Sequence, residues 1–259
     1  MTVRLATFNI LHGRSLTDGQ VDPARLSAAA EELDADVLGI QEVDSGQERT
    51  GFLDQTAHVA QAMGGLEHRF VAALTGVPGG EWRPAQEQTP AVEQAPALPA
   101  YGVGLVSRLP VKAWHVLRLP ASRVWVPLPI PGTRQLIWLK DEPRVVVAAE
   151  LDGVTVATTH LSFVAGWNVL QLRRAARWLA TLPGPHVLMG DLNQPRPVAQ
   201  RASGWTSLVT AKSFPADDAK VQLDHVLASA ALPVRNARAH RLPLSDHRAL
   251  TVDLGQLGP

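Results

Sequence analysis

Gly190-Asp191-Leu192-Asn193 closes the apolar run His186-Val187-Leu188-Met189, which is itself preceded by Pro183-Gly184-Pro185. A short apolar run between a Pro/Gly break and a polar tetrapeptide reads as a buried strand. Its last residues then emerge at the C-terminal edge of a sheet, where open α/β sheets hold their ligands. Gly190 lets the backbone turn, and Asp191 and Asn193, two residues apart, leave the rim on the same side. A carboxylate beside an amide offers a proton acceptor next to a neutral hydrogen-bond donor, a pair suited to hydrolysis of a charged ester. By itself the tetrapeptide also reads as an ordinary strand-to-helix turn with Asp or Asn as the cap. The rest of the chain has to decide.

Other apolar runs end in the same way. Val3 to Phe8 reads as a strand ending at Asn9, and Asp36 to Ile40 as one ending in Gln41-Glu42. Arg144 to Glu150 and Val154 to Thr159 read as a hairpin about Asp152-Gly153, its second strand delivering His160. Val221 to Ala228 carries Leu223-Asp224-His225, and Ser245-Asp246-His247 precedes Ala249 to Leu254. Glu67 to Leu74 is a further strand, and Gly102 to Ser107 with Val111 to Leu119 reads as a pair around Arg108-Leu109-Pro110. Helices are expected from Asp22-Pro23, where Asp caps and Pro fills the first turn, over Leu53 to Met63 ahead of Gly64-Gly65, and over Asn168 to Leu182. Strands outnumber helices, and hairpins mix with crossovers. The expected fold is therefore α/β, two mixed sheets packed face to face with helices outside.

The 259 residues are read as a single domain, 1–259, with irregular Pro-rich insertions at about 76–100 and 120–143. Lys+Arg and Asp+Glu balance at 24 each, so net charge gives no reason to expect nucleic acid or an anionic membrane as partner. The absence of cysteine excludes disulfides and thiolate metal sites. No run approaches the ~18 apolar residues of a membrane span. The chain enters its first strand without a charged leader and apolar core segment, so a cytoplasmic location is expected.

The polar residues at the apolar strand ends are Asn9, Glu42, His160, Asp191, Asn193, Asp224, Asp246 and His247. Strand ends of one layered domain can converge on one rim, which would gather these into a single site. They supply oxygen ligands for a hard cation such as Mg²⁺ and two imidazoles with carboxylates to orient them. No zinc-type spacing is present.

Thr7-Phe8-Asn9, Gln41-Glu42-Val43, Thr159-His160-Leu161, Gly190-Asp191-Leu192-Asn193, Leu223-Asp224 and Ser245-Asp246-His247 together resemble the ordered motifs of the endonuclease/exonuclease/phosphatase superfamily. The resemblance runs from about residue 3 to residue 254. It implies a four-layer α/β sandwich and a phosphoester hydrolase using a divalent cation, Mg²⁺ or Mn²⁺. Members include DNases, abasic-site endonucleases, sphingomyelinases, inositol-phosphate phosphatases and deadenylases. Asn9 to Gly13, Gln41 to Asp44, Arg49 and Asp54-Gln55 look most like the small bacterial metal-dependent hydrolases.

The resemblance also implies roles. Glu42 would be the main metal carboxylate, with Asn9 near it and Asp246 a further ligand. Asp191 would take the proton of the attacking water, and Asn193 would hold that water or a phosphate oxygen. His247 would sit against the phosphate, oriented and kept cationic by Asp224, with His160 a second phosphate donor. One departure bears on substrate: many members carry Gly-Asn-Ala where this chain has Gly102-Val103-Gly104.

Around this set, Arg49 reads either as a solvated loop charge or as an arm reaching the phosphate. His12 and His225 read as hydrogen-bonded loop or strand residues or as site neighbours. Arg144 reads as structural, and Arg173, Arg174 and Arg177 as a solvated helix face. Trp82, Trp125 and Trp167 lie in irregular segments and are candidates to line a substrate groove. Charge is uneven: Glu31 to Asp54 holds eight acids and one Arg, Leu161 to Arg201 five Arg and one Asp. No sustained basic-aromatic strip is present. The expected substrate is a small or medium phosphoester, such as a phospholipid headgroup or a sugar or inositol phosphate. DNA or RNA is the alternative partner, an inactive binding module a third reading, and no obligate protein partner is evident.

Overall fold

Alternation of side chains along the strands sorts the apolar residues into separate layers. The computed structural model describes residues 2–65, 67–86, 98–129 and 136–255. In chain order it contains β1 (Val3–Asn9), α1 (Pro23–Leu33), β2 (Val37–Ser45), α2 (Gln55–Met63), β3 (Glu67–Gly76), β4 (Trp82–Pro84), β5 (Ala100–Ser107) and β6 (Ala113–Leu119). Then follow β7 (Trp125–Pro129), β8 (Leu136–Lys140), β9 (Arg144–Leu151), β10 (Val154–His160), α3 (Trp167–Leu179), β11 (His186–Asp191) and α4 (Arg196–Ser203). β12 (Thr206–Ser207), β13 (Asp224–Ala228), β14 (Val234–His240) and β15 (Ala249–Leu254) complete it.

One sheet has the order β14-β15-β1-β2-β5-β3-β4, the other β12-β13-β11-β10-β9-β6, and β7-β8 stands apart as a two-stranded ribbon. Leu5, Val37, Val103 and Leu105 of the first sheet share one cluster with Val147, Val156, Val187, Met189 and Val226 of the second, so the two sheets pack face to face. The alternate residues Ala6, Phe8, Leu38 and Ile40 face outward onto Leu26, Leu33, Val59 and Met63 of α1 and α2. On the far side, Val146, Ala148, Ala157, Leu188 and Leu227 pack on Leu172, Leu179 and Ala199 of α3 and α4. This is the four-layer sandwich expected from the sequence. Each fully buried Leu or Val of the middle layer contributes about 1.5–3 kcal/mol.

The expected cap forms, with Asp22 accepting from Ala24 N at 2.9 Å; α2 starts at Gln55 and not at Leu53, because Asp54 caps it by accepting from Ala57 N at 3.0 Å. The β9–β10 hairpin also forms, turning between Leu151 and Val154. Two expectations need correction. β5 and β6 do not pair with each other; β5 lies inside the first sheet and β6 pairs with β9 at the edge of the second. The link between them crosses from sheet to sheet because Leu109 and Val111 pack into the core between the layers. The segments 76–100 and 120–143 are not wholly irregular, since they carry β4 and the β7–β8 ribbon; residues 87–97 and 130–135 of them lie outside the described residues. α4 follows Pro195 and carries Pro197 in its first turn, where Pro is tolerated. Among the described residues no helix is long and apolar enough to cross a membrane.

Just below one rim the sheets approach closely. Gln41 Nε2 donates to Thr7 Oγ1 of its own sheet at 3.0 Å and to Thr158 Oγ1 of the opposite sheet at 2.9 Å. A Cβ on Gly39 would come within 2.5 Å of Thr158 Oγ1, so only glycine allows that approach.

Candidate active site

Strand direction brings the polar strand ends to this rim. β1 and β2 run parallel and end there, while β15, antiparallel to β1, begins there. In the facing sheet β10 and β11 run parallel and end at the rim, while β13 and β9 begin beside them. Side-chain parity does the rest. Asn9 follows Leu5, His160 follows Val156, Asp191 follows Met189, and Asp224 precedes Val226, each by an even number of residues. All four therefore face the space between the sheets, as those apolar residues do.

Glu42 has the wrong parity, since regular alternation would send it outward with Leu38 and Ile40. Here β2 bulges: Gln41 pairs with Val103 and Val43 with Gly102, leaving Glu42 as the extra residue with φ +57°. The bulge turns Glu42 inward and leaves Val43 in the outer cluster. Asn193 (φ +51°) and Ser245 (φ +72°) share this left-handed backbone. Such conformations in residues with side chains cluster at functional sites.

The contacts are short and connected. Asn9 Nδ2 donates to Glu42 Oε1 at 2.9 Å and to Asp191 Oδ2 at 3.1 Å, bridging the sheets. Asp191 Oδ1 accepts from the Asn193 backbone N–H at 2.9 Å. His247 Nδ1 lies 2.8 Å from Asp224 Oδ2, and its Nε2 lies 3.7 Å from Asp191 Oδ2. His160 Nε2 lies 3.5 Å from Asp191 Oδ2 and 3.1 Å from Asn193 Nδ2. Ser245 Oγ donates to Asn9 O at 2.6 Å and accepts from His247 N–H at 3.1 Å, tying the motif before β15 to the end of β1.

Electrostatics separate the roles. Burial pulls the His247 imidazole down, but the charges of Asp224 and Asp191 and the hydrogen bond to Asp224 outweigh it and raise it to about 10. His247 is thus an imidazolium at neutral pH. Burial, reinforced by the charge of Asp224, raises Asp191 against the opposing pull of His247. Glu42 is raised by burial and by Asp246, although Asn9 opposes this. His160 is held well below its ordinary value by burial and by the charges of Arg144 and His247, so it is neutral. Since Asn193 Nδ2 can only donate, His160 Nε2 accepts here, whereas it was expected to be a second donor to phosphate.

The set holds carboxylates of the kind that bind a hard cation. Asp191, Asp224 and His247 offer ligand atoms within 4.8 Å of one another. A protonated imidazole has no lone pair to give, however, and Asp224 is engaged by it. The carboxylates left for a cation are Glu42, which the like charge of Asp246 raises, and Asp246 itself. Asp246 Oδ1 is buried without a hydrogen-bond partner. All-oxygen donors of this kind suit Mg²⁺ or Mn²⁺. Asn9, expected beside the metal, presents its NH₂ to both carboxylates while its Oδ1 accepts from Leu11 N at 3.1 Å. As it stands it clamps Glu42 to Asp191.

A cavity of about 530 Å³ opens above this cluster, lined among others by Glu42, His160, Asp191, Asn193 and His247. Arg144 lines it too, and this is the residue that reading the sequence missed. It begins β9, antiparallel to β10, so it stands beside the end that carries His160. It is 5% exposed, its Nε has no hydrogen-bond partner, and its nearest carboxylate contact, Asp141 Oδ1, is at 3.7 Å. It thus brings to the cavity wall a buried cation whose Nε–H is unpaired among the described residues. The signal was available in the hairpin register: a cation opening the strand that returns beside His160.

Other candidates are placed elsewhere. Arg49 binds the buried Asp44 through Nε at 2.7 Å and through its terminal nitrogen at 2.8 Å, and is no part of the cavity wall. Bidentate pairing holds it away from the phosphate position. His12 lies outside the wall as well, its carbonyl accepting from Gln55 Nε2 at 2.8 Å. The half-buried Trp167 donates its indole N–H to Pro120 O at 3.0 Å. His225 has the opposite parity to Asp224 and points outward, its Nε2 2.8 Å from Gln194 O. Trp82 and Trp125 do line the cavity, with Trp138.

The profile described as "Endonuclease/Exonuclease/phosphatase family" matches residues 6–247 of the chain. Comparison with curated proteins finds no match. Among solved structures, an endonuclease/exonuclease/phosphatase from Beutenbergia cavernae is 21% identical with a TM-score of 0.62, the match covering 99% of this chain and 72% of that one. A mannosyl-6-phosphatase of Bacteroides thetaiotaomicron is 15% identical with a TM-score of 0.62, covering 98% and 100%. Sphingomyelinase C of Streptomyces griseocarneus is 15% identical with a TM-score of 0.61, covering 98% and 99%. At these identities the likeness is one of fold.

Proposed function

The chain belongs to the endonuclease/exonuclease/phosphatase family of phosphoester hydrolases, and on that footing we propose that it hydrolyses a small or medium phosphoester with the help of Mg²⁺ or Mn²⁺. The observation that carries this reading is Asp191 placed between an imidazolium and Glu42 at the floor of one cavity. A carboxylate raised towards neutrality is suited to accept a proton at physiological pH. Two of the structural relatives are a mannosyl-6-phosphatase and a sphingomyelinase C, which supports phosphate esters of sugars or headgroups as the class.

In this reading the water oxygen bonds to phosphorus as the bond from phosphorus to the alcohol oxygen breaks. The water's proton passes to Asp191, and the departing alcohol takes one from solvent. The Asn193 backbone N–H fixes Asp191 Oδ1, and Oδ2, which takes one hydrogen bond from Asn9 Nδ2, has a second lone pair for the water's proton. Asn193 Nδ2 is occupied by Leu161 O and His160, so its Oδ1 accepts the water's other hydrogen. His247 Nε2 and Arg144 hold the phosphoryl oxygens, where charge gathers in the transition state. Asp224 keeps His247 charged and aligned. Glu42 and Asp246 would hold the cation, which when bound adds positive charge at the phosphoryl group.

The test is a panel of phosphomonoesters, phosphodiesters, phospholipids and oligonucleotides assayed with Mg²⁺ and Mn²⁺, with Asp191→Asn as control. Turnover of a small ester should fall by ~10²-fold or more in the variant, with little change in substrate affinity. No turnover of any ester, or turnover indifferent to Asp191→Asn, would overturn the reading. Oligonucleotide binding should show a salt slope of about two phosphate contacts at most. A slope of six or more, with efficient cleavage at physiological salt, would make the protein a nuclease instead.

A further inference from the structure

The cavity is larger than a phosphate group needs, and the surplus is walled by aromatic rings. Trp82, Tyr101, Trp125, Trp138 and Phe163 line it together with Lys140. Two separate insertions supply the tryptophans: Trp82 opens β4, and Trp125 and Trp138 stand on the β7–β8 ribbon. In the ribbon Trp125 pairs with Lys140 and Pro127 with Trp138, so Trp125, Trp138 and Lys140 share one face. Lys140 Nζ lies 5.1 Å from the centre of the Trp82 ring, joining the two insertions by a cation–π contact.

These rings do not serve the core. Trp125 is 56% and Trp138 61% exposed, and among the described residues neither belongs to a hydrophobic cluster. Large rings left in water beside a charged cavity mark a binding surface. A wall of indole faces with a lysine on it and Glu142 at its base is wrong for a bare acyl chain. It suits a ring that stacks on indole and offers polar edges. The volume, about 530 Å³, lies within the range of sites that enclose a whole small molecule.

We propose that the described parts of the two insertions, through Trp82, Trp125 and Trp138, form a leaving-group subsite in which these rings stack against a ring carried by the alcohol portion of the phosphoester. This rests on the phosphoester reading above. The shared chemistry is a ring with polar substituents, whether a sugar or an aromatic base.

The experiment compares adenosine 5′-monophosphate, glucose 6-phosphate and phenyl phosphate with the acyclic glycerol 1-phosphate, each also as its methyl diester. It uses the wild type, Trp125→Ala, Trp138→Ala and Trp125→Phe. The ratio of kcat/KM for the preferred ring ester to that for the acyclic ester should fall by about tenfold in either alanine variant, the scale of one lost stack. The change should appear in KM, and Trp125→Phe should restore most of it. Sugar against base arms identify which ring is read. A ratio unchanged in both alanine variants would overturn the subsite while leaving the hydrolase reading intact. In parallel, calorimetric binding of the same esters without turnover separates the two readings. Tryptophan-dependent binding with no hydrolysis would uphold the subsite and sink the hydrolase. Sedimentation with phosphatidylcholine vesicles, lost in Trp125→Ala and without ring preference in solution, would instead make the ribbon a lipid-surface contact and overturn the proposal.

Discussion

Acidification should destabilise the site's framework through His225, and the structure sets the size of the effect. His225 is fully buried behind Asp224. Its Nε2–H donates to Gln194 O at 2.8 Å, and its Nδ1 faces Gln222 Nε2 at 3.4 Å, which can only donate. Both ring nitrogens are therefore satisfied in the neutral form, and a second proton has nowhere to go. Burial is the main cause that lowers this group from 6.5 to about 4, with Arg196 adding to it against Asp224 and the Gln194 carbonyl. Between these values the unfolded chain binds a proton that the folded protein refuses, so stability falls as pH drops through the window. At 1.36 kcal/mol per unit, the loss on going from pH 7 to pH 4 is about 3 kcal/mol. That is a large part of a typical 5–15 kcal/mol. The assay is urea unfolding, followed by tryptophan fluorescence, of wild type and His225→Gln at pH 7, 5.5 and 4. Other groups titrate alike in both proteins, so the stability difference between them should move by about 3 kcal/mol in favour of the variant as pH falls. A difference that stays constant over this range would refute the argument.

Glu42→Gln should abolish Mn²⁺ binding in a calorimetric titration and turnover with it; unchanged affinity would remove Glu42 from the metal site. Asp224→Asn and His247→Ala should each reduce kcat, and the double variant should be little worse than the worse single one, because the carboxylate acts through the imidazole. Additive losses would show that the two work separately. Arg144→Met should raise KM by roughly tenfold or more, the scale of a lost charged hydrogen bond, without lowering the unfolding free energy. A variant that binds substrate normally, or that is strongly destabilised, would return Arg144 to a structural role.

Several features of the fold were legible because each is dictated locally. The apolar runs of β1, β10 and β11 end in polar residues at a fixed phase, and a period of two decides which side those residues leave. The cap at Asp22 and the Asp152-Gly153 turn depend on neighbours only a few residues away. β14, by contrast, reads Val-Arg-Asn-Ala-Arg-Ala-His and has no buried residue, as befits an edge strand, so it has no hydrophobic signature to find. The β5–β6 pairing looked like a hairpin because nearness in sequence is the default for strands. Burial of Leu109 and Val111 between the sheets sends the chain across instead.

What the sequence determined by itself is the inventory of the site and the side of each strand it occupies: Asn9, His160, Asp191 and Asp224 follow from phase and composition alone. Tertiary structure decided the rest, because it depends on groups far apart in the chain. The bulge that turns Glu42 inward exists only against β5. The charge on His247 exists only because Asp224 and Asp191, from two neighbouring strands, surround it. Arg144 joins the cavity through antiparallel register, and Arg49 is withdrawn from it by Asp44. The two insertions, meaningless as separate Pro-rich stretches, meet where Lys140 lies over Trp82. Protonation and pairing energies fall off within a few ångströms, so they are set by which strands pack together and not by the order of residues along any one of them.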